Sequence, residues 1–312
     1  MTMKTVRLML AFLLLNFLVY CKKDRTENFQ NPGKNAEDFL KNQQIKEEKK
    51  KPEIRYSDFI FPEDKRDSMM AVFNETYSEQ ERYTILALNR LDSKNKWRAD
   101  TLMIPDKIDS TLMSYSPFPY KIDVLKDVKK IALFSYPVQA YGVYSSGKLQ
   151  KWGPTSMGKK SAETKRGLMF ANWKKELAIS TINKSWKLPY NFNLHNTLGI
   201  GWHQYDLPGF PASHSCLRLL MDDAKWMYGY ADQWILNKDG ATVHAKGTPV
   251  IVFGDFDWNG KKPWKKLSSN PKANDISEAE MNEIIRPFLD EILKEQKNRE
   301  DVLSQINAEK MN

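Results

Sequence analysis

The sequence predicts an α+β protein, mainly β with few helices. Short apolar runs broken by turn residues recur between positions 129 and 254. They include Lys130-Ile-Ala-Leu-Phe-Ser135, Ala140-Tyr-Gly-Val-Tyr144, Lys148-Leu-Gln-Lys-Trp152, Gly167-Leu-Met-Phe-Ala171 and Thr248-Pro-Val-Ile-Val-Phe253. Runs of four to six apolar or β-branched residues bounded by turn residues read as strands. Helical spacing appears only in a few other stretches. The 312 residues are 41% hydrophobic and 12% aromatic, enough to fill one sizeable core plus smaller pieces.

Residues 1–21 read as a secretion signal, with Lys4 and Arg7 ahead of an apolar run over 8–20. The run is too short to span a bilayer comfortably. Leu18-Val-Tyr-Cys21 resembles a bacterial lipoprotein cleavage box, which implies lipidation of Cys21 and a membrane-anchored lipoprotein facing the periplasm of the cell envelope. Residues 22–55 are rich in Lys, Glu, Asn and Gln and predict a disordered tether.

Residues 56–128 read as a small α/β pre-domain. Helix is expected over 67–77 and 84–91, then a turn and a short strand ending at Pro105. Leu88-Asn-Arg90 and Leu102-Met-Ile-Pro105 resemble the second half of a LysM peptidoglycan-binding module. Residues 174–197 predict an extended flap or hairpin. A helix follows Arg218, with Asp222 and Asp223 favouring its N-terminus and an apolar stripe of Ala224, Met227, Tyr228, Ala231 and Trp234. Asn237-Lys-Asp-Gly240 is expected to end it. Residues 255–312 read as a linker and a C-terminal helix, opened by the capping box Ser277-Glu-Ala-Glu280.

Chemistry concentrates in Gly199-Ile-Gly-Trp-His-Gln-Tyr-Asp-Leu-Pro-Gly-Phe-Pro-Ala-Ser-His-Ser-Cys-Leu-Arg218. It holds two of the four histidines, His203 and His214, and one of the two cysteines, Cys216. An imidazole that takes the proton of a thiol makes a nucleophile, so the combination suggests a Cys/His acyl-transfer site. His203 lies too far from Cys216 for one helix turn. Pro208-Gly-Phe-Pro211 supplies residues for folding the chain back. His195 is read as a polar loop residue, and His244 is given no role. Two imidazoles and a sulfur could also ligate zinc, but the spacing fits no standard zinc motif; no metal and no cofactor are expected. With two cysteines there is no disulfide framework. The net charge of +9 suits anionic envelope polymers, and without a nucleic-acid motif no nucleic-acid partner is expected.

Ser213-His-Ser-Cys-Leu-Arg218 resembles the Ser-His-Gly-Cys-Ile/Val-Arg signature of the YkuD-type L,D-transpeptidases, and His203 matches that family's upstream histidine. Ser146-Gly-Lys-Leu149, Met157-Gly-Lys159 with Thr164-Lys-Arg-Gly167, and Gly247-Thr-Pro-Val-Ile-Val252 follow the family's landmarks in order. The resemblance implies a β-sandwich catalytic domain over 129–254 acting on peptidoglycan stem peptides, as a monomer. Cys216 would be the nucleophile, His203 the base and His214 a supporting group. The 215–216 backbone would stabilise the oxyanion, and Ser213, Ser215 and Arg218 would lie against substrate. Two departures stand out. Ser215 replaces the signature glycine, and Lys165 stands where the family has proline. Ser215 keeps open an alternative, a catalytically impaired envelope lipoprotein that only binds peptidoglycan.

Overall fold

The computed structural model describes residues 51–311. The signal run, Cys21 and nearly all of the tether lie outside the described residues. Packing starts already at Lys51, inside the stretch assigned to the tether: its ammonium donates to the Ser116 carbonyl at 2.6 Å and pairs with Asp275 at 3.1 Å.

The pre-domain runs β1 (Tyr56–Ile60), α1 (Arg66–Thr76), α2 (Glu79–Leu88) and β2 (Thr101–Pro105), with β1 and β2 paired antiparallel. Helix α2 starts earlier than its apolar spacing suggests. Ser78 and Glu81 form a reciprocal capping box there, Glu81 accepting the Ser78 N–H at 2.8 Å. The residues that carry the LysM likeness face inward. The Asn89 amide donates to the carbonyls of Ile85 and Met103 and accepts the Met103 N–H, tying the end of α2 to β2.

Residues 129–254 supply β3 (Ile131–Ser135), β4 (Ala140–Ser145), β5 (Lys148–Pro154), β6 (Gly167–Phe170), β7 (Lys174–Ile179), β8 (Lys187–His195), β9 (Ile200–Gln204), β10 (Leu217–Leu219), α3 (Met221–Tyr230), β11 (Ile235–Leu236), β12 (Val243–Ala245) and β13 (Pro249–Phe253). One sheet has the order β5-β4-β3-β13-β6, the other β10-β9-β8-β7. They face each other as a sandwich. Phe134 from the first stacks on Trp202 from the second at 6.4 Å, and Ala132, Val143 and Val252 share a core with Phe192, Ile200 and Leu217. The alternate residues of β3, Ile131 and Leu133, point to a second core built with Phe118, Leu125, Met281 and Ile285. All five residues of β3 are buried, as expected of a strand covered on both faces.

Two expectations are corrected. The helix after Arg218 stops at Tyr230. Trp234 is outside it, its N–H bonded to the Asn172 carbonyl, and residues 237–240 form the turn between β11 and β12 instead of a helix end. The C-terminal helix is divided: α4 (Glu278–Ile285) gives way to a 3₁₀ turn holding Pro287, and α5 (Leu289–Met311) continues. Proline lacks the N–H needed for an unbroken helix. The Ser277–Glu280 capping box forms as predicted. Met281, Ile285, Ile292 and Val302 dock on the body of the protein. No helix among the described residues is long and apolar enough to cross a membrane.

Arg90 joins the pre-domain to the sandwich. It is 1% exposed and donates to the carbonyls of Val138 (2.8 Å) and Leu88 (2.6 Å). Its guanidinium lies 5.1 Å from the Trp264 ring and 5.7 Å from that of Trp152. Burial pulls its pKa down to about 9, with Tyr56 acting in the other direction, so it remains charged at neutral pH. Removing it leaves two carbonyls without a donor and opens a void. Arg90→Ala is therefore expected to lower unfolding free energy by about 3 kcal/mol or more. Chemical denaturation of both proteins measures this, and a loss below about 1 kcal/mol would contradict it.

Candidate active site

Strands β9 and β10 pair in parallel, with Trp202 opposite Leu217 and His203 opposite Arg218. Cys216 sits one residue before this ladder. The intervening chain is held on both sides. Ser156 exchanges two backbone bonds with Arg218, and Ser213 exchanges two with Met157 and Lys159. On the pre-domain side the Asp92 carboxylate accepts the Leu207 N–H at 2.6 Å. Gly158 lies in this framework because a Cβ there would sit 2.2 Å from the Ala162 carbonyl oxygen.

His203, Tyr205, Cys216 and Arg218 line one depression of about 40 Å³, walled by Ile182, Trp186 and Leu188 from the β7–β8 hairpin. His203 is buried, and its Nδ1 lies 2.9 Å from the Gln204 carbonyl oxygen. A carbonyl only accepts, so Nδ1 carries the hydrogen and Nε2 keeps its lone pair. Burial pulls the His203 pKa down to about 4; the Gln204 carbonyl works against this and Arg218 adds to it. Burial pushes the half-exposed Cys216 thiol up, while the Gly201 N–H and Arg218 pull it down. The resting pair is thus a neutral thiol and a neutral imidazole.

His214 lies 5.1 Å from the Trp186 ring. Its Nε2 is 3.0 Å from Lys159 Nζ. An ammonium can only donate, so the hydrogen of the neutral ring is on Nδ1, which is buried and has no partner. Burial, Lys159 and Arg218 all hold the His214 pKa down. Arg218 lies over the Tyr205 ring at 4.6 Å and reaches the Asp206 carbonyl at 3.3 Å. No carboxylate lines the depression.

The two serines act on the backbone. Ser213 is buried and donates its hydroxyl to the Cys216 carbonyl at 2.5 Å, which braces the turn. Ser215 has φ +80°, the left-handed region that favours glycine. Its carbonyl accepts the Thr164 hydroxyl at 2.9 Å. In a planar trans peptide the N–H points opposite to the carbonyl, so Thr164 turns the Cys216 N–H the other way. The sequence reading quoted Thr164, Lys159 and Tyr205 without giving them site roles. Tyr205 was detectable as the i+2 neighbour of His203, since alternate residues of an extended chain share a face.

His195 ends β8, where its Nδ1 accepts the Leu198 N–H at 3.3 Å. His244 lies in β12. Among the described residues no three His, Cys, Asp or Glu side chains are placed to hold a metal ion.

Residues 129–252 match the family model of the YkuD L,D-transpeptidase catalytic domain. Solved structures similar to this chain include an L,D-transpeptidase from Stackebrandtia nassauensis, at 26% identity and TM-score 0.33, covering 41% of this chain and 56% of that one. Another is an L,D-transpeptidase from Mycobacterium smegmatis, at 19% identity and TM-score 0.32, covering 40% and 59%. The chain therefore spans under two thirds of either. The comparison with curated proteins gave no match.

A non-glycine residue in the left-handed region costs about 1 kcal/mol. Ser215→Gly should raise stability by about that amount, read as a higher midpoint of denaturation. An unchanged or lower midpoint would show that the position carries no strain.

Proposed function

We propose that this protein is a cysteine-dependent L,D-transpeptidase acting on peptidoglycan stem peptides. The family-model match over 129–252 supports a peptidoglycan transpeptidase. The observation that carries the finer reading is the β9–β10 pairing, which brings a neutral, tautomer-fixed His203 and a half-exposed Cys216 into one depression.

His203 Nε2 takes the thiol proton as Cys216 Sγ attacks the carbonyl carbon of the bond to a terminal D-alanine. The Cys216 N–H, turned away from Thr164, is the donor available to the oxyanion. Collapse breaks the C–N bond, the His203 proton goes to the departing amine, and a thioester remains. An incoming amine gives its proton to His203 and the acyl group leaves sulfur. Lys159 and Arg218 supply positive charge for substrate carboxylates.

Cys216→Ala should abolish transfer. His203→Ala should slow acylation about 10²-fold or more, read as covalent adduct formation with a carbapenem. Protonation removes the base, so wild-type acylation should hold from neutral pH down to about 5 and fall as pH drops through about 4. A limb near pH 6.5, or wild-type acylation by the His203 variant, would reassign the base to His214. Failure of wild-type Cys216 to form any adduct would favour the second reading, an impaired peptidoglycan-binding protein, for which the strained Ser215 is the specific observation.

The protein works as a monomer held at the envelope by lipid on Cys21, motivated by Leu18-Val-Tyr-Cys21. Cys21→Ser should move it from the membrane pellet to the soluble fraction. Equal partition of both proteins counts against the anchor.

A further inference from the structure

Beside the turn that carries Cys216, three stretches of chain meet in a closed ring of hydrogen bonds. The Tyr136 hydroxyl, just past β3, donates to the Gly158 carbonyl at 2.5 Å. The Gly158 N–H donates to the Thr164 hydroxyl oxygen at 3.0 Å. The Thr164 N–H closes the ring on the Tyr136 oxygen at 3.2 Å. Tyr136 and Thr164 are both fully buried, so water does not compete for these groups. A Cβ at Gly158 would stand 2.6 Å from the Thr164 nitrogen, so the ring closes only around a glycine.

The ring fixes the direction of the one hydrogen it does not use. A hydroxyl carries a single hydrogen. The Thr164 oxygen accepts from Gly158, and its own hydrogen leaves the ring for the Ser215 carbonyl at 2.9 Å. On the other side of the cysteine, the Ser213 hydroxyl claims the Cys216 carbonyl. Lys165 stands where the family has proline, and Arg166 holds this stretch instead. Its guanidinium donates to the carbonyls of Thr164 (2.6 Å) and Gly254 (2.9 Å) and lies 3.7 Å over the Tyr136 ring.

We propose that Thr164 is the positioning residue for the oxyanion donor, holding the Cys216 N–H on the substrate side of the turn. This rests on the thioester reading above. As Cys216 Sγ bonds to the carbonyl carbon, the C=O π pair moves onto oxygen, and a donor must already point there. The Ser215–Cys216 peptide supplies one only while its carbonyl faces Thr164. Ser215 gives that peptide a reason to turn, because φ +80° is unfavourable for a serine. The Thr164 bond opposes the relaxation. Thr164 is fully buried and does not line the cysteine depression, so it acts through the backbone and touches no substrate.

The test uses the full chain and two reagents. A carbapenem acylates Cys216 through an oxyanion; its C–N bond then breaks and the nitrogen takes the His203 proton. Iodoacetamide alkylates the same thiol at a saturated carbon and forms no oxyanion, and peptide mass separates its product at Cys216 from any at Cys21. Thr164→Val keeps the shape and loses the hydroxyl. It should slow acylation at saturating carbapenem about tenfold or more, with half-saturation and alkylation within about twofold of wild type. Thr164→Ser keeps the hydroxyl and should acylate within about threefold of wild type. The infrared carbonyl band of the adduct should move to higher frequency in Thr164→Val, since the acyl oxygen has lost a donor. Tyr136→Phe opens the ring at its far end; it should slow acylation about threefold or more with alkylation unchanged, and it serves if Thr164→Val is poorly folded. Wild-type acylation by Thr164→Val, an equal loss of alkylation, an unmoved band, or Thr164→Ser as slow as Thr164→Val would overturn the positioning role. A wild-type chain that is alkylated but never acylated would overturn the transferase reading, and the positioning role with it.

Discussion

The site depends on three residues of parallel pairing between β9 and β10. Parallel neighbours need a connection that leaves the sheet and returns. Here an irregular segment of twelve residues does so, without a helix. Such a segment has no regular ladder of its own, so its backbone groups need partners elsewhere. They find them in the strand-like stretch 155–159 on one side and in Asp92 on the other. The geometry of the site is therefore imposed by stretches remote from it in sequence.

The second constraint is electrostatic. Many Cys/His sites orient the imidazole with a third side chain. Here the partner of His203 Nδ1 is the carbonyl of the next residue, which fixes the tautomer without adding negative charge. With Arg218 close by and no carboxylate lining the depression, an imidazolium would be poorly stabilised. The surroundings therefore favour the neutral imidazole.

The strands were readable because their apolar runs are short and sharply bounded, and the candidate site residues because their chemistry and order match a known signature. Ser215 was singled out as a glycine replacement, and its positive φ bears out the backbone shape expected of that position. The failures have physical causes. Trp234 continues the 3.6-residue stripe of α3, but Asn172 claims its backbone N–H, so tertiary pairing overrode the periodicity. The start of α2 was placed late because its first turn is polar and its capping box was not read. Nor was the inward turn of Asn89 and Arg90 readable, whose side chains close internal bonds. A sequence pattern does not show whether a polar side chain turns inward.

Arg90 also bears on how this chain could have been assembled. Its side chain enters from the pre-domain, bonds a carbonyl of the sandwich and lies between tryptophans of β5 and of the segment after β13. Three stretches remote in sequence thus share a single buried cation. Residues 129–252 excised alone would lose that cation and expose the indole of Trp152. The sandwich is consequently not an exchangeable cassette, and recombination that swapped its leading segment would have to bring a matching arginine with it.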